Sequence, residues 1–537
     1  MAIAGMLPLA QAVRSETAAI VNSAVIGGTA KGIAASAFRN AVAEAAADDE
    51  ALATYYRAHD YAALWTTASD AGRREAFFRV LEAAAAHGLP QASYGAAELR
   101  AAFGSVTTER DRARLEVRMS RMLLRYAADM QTGVLTPSRV DAGLVREVPL
   151  RDRLTTLTTF SVSDPDRFFR TLVPDAPEYA QLLKARLDLE AVISRGGWGP
   201  EVPPSALRPG DTGQGVVALR DRLVAMGYLR PSASASYDGP MQKAIQLFQI
   251  DHGLASDGVA GDGTIEEINI GPEARLASVT VAMERLRWMN GLDLGSRHIW
   301  VNLPDFTVKI VDDGKVTFES VTVVGMNQPD RRSPEFSDQM ELMVVNPTWS
   351  VPRSIAVKEY LPMLKKNPNA AGHLKIVDSR GRVVNRGAVD FSQFTERNFP
   401  YSMSQPPSDG NALGKVKFLF PNPYNIYLHD TPSKSLFDRE VRAFSHGCIR
   451  VGRPFELAYA LLSRQTDDPE GMFHRYLNAG AEAAVKLETP VPVHLVYFTA
   501  WPDARGRIEY RRDVYGRDAR IYEALVAAGV EPVGEQG

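Results

Sequence analysis

The sequence predicts a multi-domain α+β protein in which a helical N-terminal half precedes a mainly β C-terminal half. Three observations predict this class. Apolar residues recur at helical spacing up to about residue 290, they alternate along the chain after His298, and Gly/Pro-rich breaks separate the segments. At 537 residues the chain is long enough for roughly three or four domains with cores of their own.

Composition excludes several classes of protein. With 45% hydrophobic residues, 23% charged residues and a formal net charge of -3, the chain has no broad basic field, so we expect no nucleic-acid partner. One cysteine excludes a disulfide framework and a Cys-rich zinc module. No later stretch has the length of unbroken apolar residues that a transmembrane span needs. Oligomeric state stays open.

The first segment, 1–12, is a short apolar run that ends in Ala10-Gln11-Ala12, a sequence that suits a signal-peptidase site. We interpret it as a signal-peptide remnant, and because the basic n-region is missing, we expect the natural start to lie upstream. A frayed apolar N-terminus is the alternative.

Residues 13–200 predict a helical scaffold domain. One apolar stripe stops at Gly88, and a second runs along a longer segment; their members are Phe77, Leu81 and Ala84, then Leu115, Met119, Met122, Leu123 and Tyr126. No nucleophiles or metal ligands cluster there. An aromatic group is interpreted as core packing rather than as a ligand platform: Tyr55, Tyr56, Tyr61 and Trp65.

Residues 205–272 predict a compact three-helix unit after the break at Gly196–Pro204. Its first helix ends at Gly227, its second begins near Asp238, and Thr264 is expected to cap the third. The unit resembles the peptidoglycan-binding module of many cell-wall enzymes, on the matches Leu207-Arg-Pro-Gly-Asp211, Gly227-Tyr-Leu229, Tyr237-Asp-Gly239 and Asp257-Gly258. A connecting helix is expected at 273–297.

Residues 298–500 predict a β domain, because apolar residues alternate from His298 to Gly325 and strand-like runs return at Met343–Val345, Val416–Phe420, Tyr424–Leu428 and Val491–Phe498. The interval of about 356–413 is polar and dotted with Gly and Pro. It predicts a lid insertion over a cleft, with a disordered surface excursion as the alternative. Residues 501–537 form a C-terminal extension.

Cys448, in Ser445-His-Gly-Cys-Ile-Arg450, is the candidate nucleophile. A free thiol is mostly protonated at pH 7, so it needs a base, and His429 at the end of a predicted strand could take the proton. Gly447 lets the backbone approach a reacting carbonyl, and the N–H groups of Gly447 and Cys448 could stabilise an oxyanion. Arg450 suits a substrate carboxylate, with a structural ion pair as the alternative.

The residues around Cys448 also allow two other interpretations. Without context, a lone Cys is more often a small buried apolar residue than a nucleophile. The set of His429, Asp430, His446 and Cys448 could also bind a metal, although the spacing matches none of the usual ligand pairs.

The motifs His429-Asp-Thr-Pro432 and Ser445-His-Gly-Cys-Ile-Arg450 resemble the active-site signature of the L,D-transpeptidases, which crosslink peptidoglycan stems. Further matches are Asn346-Pro-Thr-Trp-Ser-Val-Pro-Arg-Ser354, Asn411-Ala-Leu-Gly-Lys-Val-Lys-Phe418 and Tyr497-Phe-Thr-Ala-Trp501. The resemblance implies a Cys448 nucleophile, a His429 base and an oxyanion hole at His446 and Gly447. Ser445, Tyr427 and Trp349, with Arg450, are expected to contact substrate, and core packing is the alternative for Tyr427 and Trp349.

The resemblance, with the helical scaffold and the binding module, extends to the large periplasmic L,D-transpeptidases. It implies a cofactor-free acyl transfer from a tetrapeptide donor to a diaminoacid acceptor, with release of D-alanine and a 3-to-3 crosslink. It also implies that carbapenems acylate the thiol. Because the signature does not separate relatives that cleave crosslinks, an L,D-carboxypeptidase or endopeptidase stays open. An inactive wall-binding scaffold is the alternative from another class.

Overall fold

The computed structural model describes residues 34–532. Within this range a helical N-terminal region, a three-helix module and a mainly β domain follow one another, so the predicted multi-domain α+β class is confirmed. The expected signal-peptide remnant at 1–12 lies outside the described residues, as does the start of the expected scaffold domain.

The N-terminal region is a bundle built around a long helix, Glu109–Thr132. The buried carboxylate of Glu116 on this helix accepts hydrogen bonds from the backbone N–H groups of Leu64, Trp65 and Thr66 and from the hydroxyl of Tyr56. These bonds satisfy a charge that would otherwise be costly to bury. The other helical segments are 34–46, Glu50–Ala58, Ala71–Glu82, Ala96–Ser105, Pro137–Val140, Arg153–Val162, Pro165–Leu172 and Pro177–Ser194.

The aromatic group of this region packs in its core, as predicted, with one exception. Tyr55, Tyr56 and Trp65 are buried, whereas Tyr61 is half-buried. Gly88 ends the stripe that begins on Ala71–Glu82, and it has a φ of +66°, a conformation that favours glycine.

The module contains the helices Gln214–Ala225, Gly239–Asp251 and Asp262–Ile268 around a common apolar core. The carboxylate of Asp238 caps the second helix by accepting from the N–H of Met241 at 3.0 Å. The expectation for Thr264 is wrong. It lies inside the third helix, because the chain already turns at Gly261, and its hydroxyl accepts from Gln249 instead.

The helix Pro272–Met289, called here the central helix, contacts the other regions of the chain. Its Arg287 pairs with Glu284 and also donates to the hydroxyl of Tyr179 in the scaffold at 2.8 Å. Its Arg285 bridges two buried carboxylates, Glu335 of the β domain at 2.5 Å and Asp518 of the C-terminal helix at 2.9 Å. Because these partners come from three regions, the central helix joins them into one packed unit.

The β domain is a barrel. Its sheet has the order β10-β3-β11-β9-β8-β4-β12-β1-β2, and β2 also pairs with β3, which closes the sheet. The strands are β1 Arg297–Asn302, β2 Thr307–Asp312, β3 Lys315–Gly325, β4 Phe336–Val345, β8 Val416–Leu419, β9 Leu428–His429, β10 Ala443–Ser445, β11 Ile449–Val451 and β12 Ala483–Val496. The helices Pro454–Leu462 and Pro469–Asn478 connect β11 to β12.

One predicted strand is shorter than expected. The run Tyr424–Leu428 contributes only Leu428 to β9, because the Asn422 side chain accepts from the N–H groups of Tyr424 and Ile426 and holds a turn. Asn425 has a φ of +56°, which is incompatible with a strand. His429 therefore lies in the short strand that follows this turn.

The lid is a folded subdomain. It contains a three-stranded sheet in the order β5-β7-β6 and a helical segment over 353–366; the strands are β5 Trp349–Ser350, β6 Lys375–Val377 and β7 Ser402–Gln405. Its own apolar core includes Trp349, Leu361, Ile376, Phe391 and Met403. A disordered excursion is therefore not what the structure shows, and the subdomain begins before the expected residue 356.

The C-terminal segment returns to the body of the protein. Strands β13 Ala500–Pro502 and β14 Ile508–Tyr510 form a hairpin, and the helix Arg517–Ala527 packs on the central helix through Ile521 and Leu525. Over residues 34–532, no helix combines the length and the apolar character that crossing a membrane requires.

Candidate active site

Parallel strands bring the two motifs together. β9 and β11 are neighbours, with Leu428 opposite Ile449 and His429 opposite Arg450. Leu428 and Ile449 belong to the barrel core, so the alternate residues point to the outer face. Tyr427, His429, Cys448 and Arg450 therefore share that outer face and line one cleft beneath the lid.

The cleft has a volume of about 950 Å³. Its floor is the outer face of the barrel, and its wall comes from the lid, where Trp349, Tyr360 and His373 line it. Trp349 is also a core residue of the lid, with its ring centroid 6.4 Å from that of Tyr360. Core packing is therefore confirmed for Trp349, and its position in the cleft lining is compatible with the predicted contact with substrate.

His429 is buried and oriented by backbone. Its Nδ1 lies 2.5 Å from the carbonyl oxygen of Asp430. Because a carbonyl only accepts, Nδ1 carries the proton, and Nε2 is left as an acceptor. Burial, followed by the charges of Arg450 and Lys417, lowers the pKa of His429 to about 3. The imidazole is therefore neutral at pH 7 and can accept a proton.

The carboxylate of Asp430 does not contact this ring through a hydrogen bond. It accepts instead from the N–H of Lys415 at 2.8 Å and from Lys434 Nζ at 2.5 Å. The group that orients the His429 ring is thus a backbone carbonyl oxygen.

Cys448 is half-buried, and its thiol is protonated at rest. The Sγ atom donates to the carbonyl oxygen of Asn425 at 3.5 Å and lies in hydrogen-bond contact with Tyr427. Burial raises the pKa of the thiol to about 11, against the lowering effects of Tyr427 and Arg450. Burial and the neighbouring thiol also raise the pKa of Tyr427. The site at rest is therefore a neutral thiol beside a neutral imidazole.

The loop before Cys448 is a tight turn held by Ser445. Its hydroxyl donates to the carbonyl oxygen of Cys448 at 2.5 Å and accepts from the N–H of Gly447 at 3.1 Å. Gly447 has a φ of +116°, which favours glycine. Of the two expected oxyanion donors, the N–H of Gly447 is thus engaged, while that of Cys448 has no partner among residues 34–532. Ser445 shapes this loop as well as lining the cleft.

His446 connects the loop before Cys448 to the lid. Its Nε2 lies 2.6 Å from Oε1 of Glu359, which also accepts from Arg331 at 2.8 Å. Its side chain therefore points toward the lid helix. Only its position next to Gly447 in the sequence supports the predicted role of His446 in an oxyanion hole.

Arg450 has no carboxylate partner among the described residues, and its buried Nε makes no hydrogen bond there. Burial lowers the pKa of this guanidinium, which remains charged. The structural ion pair considered from the sequence is therefore not formed.

Sequence reasoning missed Lys417, Glu359 and Ser333. Lys417 is opposite His429 on β8 and lies on the same outer face, and the alternation of Val416, Lys417 and Phe418 was the signal that could have identified it. Glu359 and Ser333 are far from both motifs in sequence and carry no local signal. Over the part of the chain that the structure describes, no three His, Cys, Asp or Glu side chains form a metal-binding group.

Comparison with known families gives three matches. Residues 296–492 match the YkuD family, described as the L,D-transpeptidase catalytic domain. Residues 296–492 are thus similar to the catalytic domain of the L,D-transpeptidases. The residues that form the cleft, including those of the lid, lie within the match. Residues 50–185 match a family described as a scaffold domain, and residues 212–268 match a "Putative peptidoglycan binding domain".

A similar protein of Haemophilus influenzae is named "Putative L,D-transpeptidase". It is 35% identical over 225 residues, which cover 42% of this chain and 45% of that protein, so the match spans less than half of the relative's length. Two solved structures of L,D-transpeptidases, from Xylanimonas cellulosilytica and Stackebrandtia nassauensis, align at 15% and 16% identity with TM-scores of 0.16 and 0.20. Each alignment covers 55% of this chain; the first covers 100% of the Xylanimonas structure and the second covers 96% of the Stackebrandtia structure.

Proposed function

We propose that this protein is a periplasmic L,D-transpeptidase that forms 3-to-3 crosslinks between peptidoglycan stem peptides by cysteine acyl transfer. The observation that carries the proposal is the placement of Cys448 and His429 on the same face of adjacent parallel strands, at the floor of one cleft. The family of the catalytic domain and the neighbouring peptidoglycan-binding domain support the wall as the substrate.

In the first step, the Cys448 sulfur attacks the carbonyl of the diaminoacid residue in a tetrapeptide donor, and its proton passes to Nε2 of His429. The tetrahedral oxyanion accepts from the N–H of Cys448, a donor of the kind that typically contributes about 2.7 to 4 kcal/mol to transition-state stabilisation. Collapse breaks the bond to D-alanine, whose amine takes the proton back from His429. A thioester on Cys448 remains.

In the second step, the side-chain amine of another stem attacks the thioester. His429 accepts a proton from this amine and returns it to the departing sulfur, which regenerates the thiol. Water in place of the amine would give a tripeptide and a carboxypeptidase. Because residues of the lid line one wall of the cleft, we expect the lid to reduce the access of water and so to favour transfer to an amine.

Because the Cys448 thiol and the His429 imidazole are both neutral at rest, the thiol proton is transferred during the attack on the substrate carbonyl. A raised thiol pKa and a lowered imidazole pKa both disfavour a preformed thiolate–imidazolium pair. The thiolate therefore forms as the substrate carbonyl is engaged and the developing oxyanion accepts from the N–H of Cys448.

The test is intact-mass spectrometry and product analysis of the full chain with tetrapeptide muropeptides, with Cys448→Ala as the matched control. A dimer formed with loss of D-alanine, only with Cys448 present, supports the proposal. Tripeptide monomers alone would identify a carboxypeptidase, and unchanged substrate would favour the wall-binding scaffold. Crosslinking retained by Cys448→Ala would remove the cysteine mechanism altogether.

A further inference from the structure

The cleft over Cys448 carries an excess of positive charge. Five Lys and Arg side chains line it against two carboxylates. Lys358 pairs with Asp330 at 2.7 Å, and Arg331 pairs with Glu359 at 2.8 Å, so these four charges balance. Of the other three cations, Arg353 donates to backbone carbonyls of the lid.

The remaining two cations, Lys417 and Arg450, flank the catalytic base. Lys417 pairs in register with His429 across β8 and β9, and Arg450 pairs with His429 across β9 and β11. Side chains at paired positions point to the same face, so the three groups form a row in which the imidazole is central.

Neither cation of this row has a carboxylate within ion-pair distance among residues 34–532. Both are partly desolvated, and burial lowers the pKa of Lys417, with only a longer-range contribution from Glu482 in the opposite direction. A desolvated charge without a counterion is unfavourable, and an anionic ligand relieves that cost. Two such cations on one floor fit a ligand with two carboxylates.

We propose that Lys417 binds the side-chain carboxylate of the diaminoacid in the donor stem, so that the donor site selects stems in which this group is a free acid over stems in which it is an amide. The inference rests on the proposed function, because it assigns a substrate group to the same cleft. Arg450 is left for the D-alanine carboxylate, which both kinds of stem carry. An amide has no charge to offer Lys417, and the lysine then stays unpaired.

Two synthetic tetrapeptide donors that differ only in this group, free acid or amide, test the proposal on the full chain. We expect kcat/KM for D-alanine release to favour the free acid by about tenfold or more, as for a charge-assisted bond of about 1.5 to 3 kcal/mol. Lys417→Gln should reduce this ratio to about 2 or less, mainly through KM, whereas Lys417→Arg should preserve most of it. Lys486→Gln, on the exposed side of β12, is the matched control and should keep the wild-type ratio.

Equal rates with both donors in the wild type would overturn the inference, as would an equal loss on both donors in Lys417→Gln. Calorimetry measures the affinity of each donor for Cys448→Ala, which cannot be acylated, and for the double variant that also carries Lys417→Gln. These affinities report the preference for the free acid independently of the reaction. If neither donor acylates Cys448 while the binding preference is present and depends on Lys417, the proposed function fails and this inference stands. If acylation occurs without any preference, only this inference fails.

Discussion

The hydroxyl of Ser333 donates a hydrogen bond of 2.6 Å to the carbonyl oxygen of Gly447. The same hydroxyl accepts from the N–H of Gly325 at 2.9 Å, and the carbonyl oxygen of Gly325 accepts from the hydroxyl of Tyr515 at 2.6 Å. Arg517 donates to the carbonyl oxygen of Ser333 at 2.9 Å. The loop that carries the thiol is therefore held from behind by the C-terminal segment.

Ser333→Ala should slow acylation of Cys448 without removing any group that contacts substrate. The change leaves the buried Gly447 carbonyl and the Gly325 N–H without their partner, so we expect a loss of about 1 to 3 kcal/mol in stability. Because the loop also loosens, the acylation rate should fall about tenfold or more while KM changes little. Intact-mass kinetics of adduct formation by a carbapenem, the inhibitor class that the family resemblance implies, would measure the rate.

The matched control is Ser463→Ala, an exposed serine at the end of the helix Pro454–Leu462, which should leave both quantities near wild type. A Ser333→Ala protein that is destabilised but acylated at the wild-type rate would show that the bond supports only the fold.

The pH dependence of kcat/KM should show a broad plateau. His429 has a pKa of about 3 and is lost as a base only when pH falls to that region, and the Cys448 thiol has a pKa of about 11 and ionises only when pH rises to that region. Since the pH dependence of kcat/KM reports the pKa values of the free enzyme, kcat/KM should be constant between about pH 5 and 8. An acid limb near the ordinary histidine pKa of about 6.5 would contradict this electrostatic description.

Glu359→Gln should loosen the lid. The substitution removes the negative charge that contacts both Arg331 and His446, and with it the ion pair to Arg331 and the strength of the hydrogen bond between the lid helix and the thiol loop. We expect faster amide hydrogen exchange over 353–366 and a change in KM for the donor, with little change in global stability because the pairs are partly exposed. Glu396→Gln, an exposed lid residue outside the cleft lining, is the control. Unchanged exchange in Glu359→Gln would mean that the apolar contacts alone hold the lid.

Arg285→Leu should strongly destabilise the protein. It leaves the carboxylates of Glu335 and Asp518 buried with one fewer cation, a change that typically costs about 3 to 5 kcal/mol. Arg79→Leu removes an exposed pair with Asp166 and should cost about 1 kcal/mol or less. Chemical denaturation of the two variants compares them directly, and similar losses for both would argue against the bridging role of the central helix.

Helices and strands with regular spacing were predictable from sequence. The stripe on Glu109–Thr132 and the alternation along β1 and β2 were both identified correctly. The lid was harder, because its core residues, such as Trp349, Ile376 and Met403, are scattered without a period among polar residues. The start of β9 was misjudged because a side chain, that of Asn422, holds the preceding residues in a turn, so the strand begins only at Leu428.

The same distinction applies to the site. Cys448, His429 and Arg450 were predicted as site residues from residue type and from the signature, and the structure places all three in one cleft. Ser333 and Glu359 were not identified, because they reach the thiol loop only through tertiary contacts. The bond between His429 Nδ1 and the carbonyl of Asp430 also escaped prediction as a specific contact, since only the backbone path of the folded chain aims that oxygen at the ring.

The adjacency of β9 and β11 also bears on how the chain tolerates change in length. His429 and Cys448 are held by sheet pairing and not by the segment that links them, which is exposed at 439–441. Insertions at this tip should therefore leave the separation of base and thiol intact. A deletion within β9 or β11, by contrast, would exchange outward and inward residues and place an aliphatic side chain where the chemistry occurs.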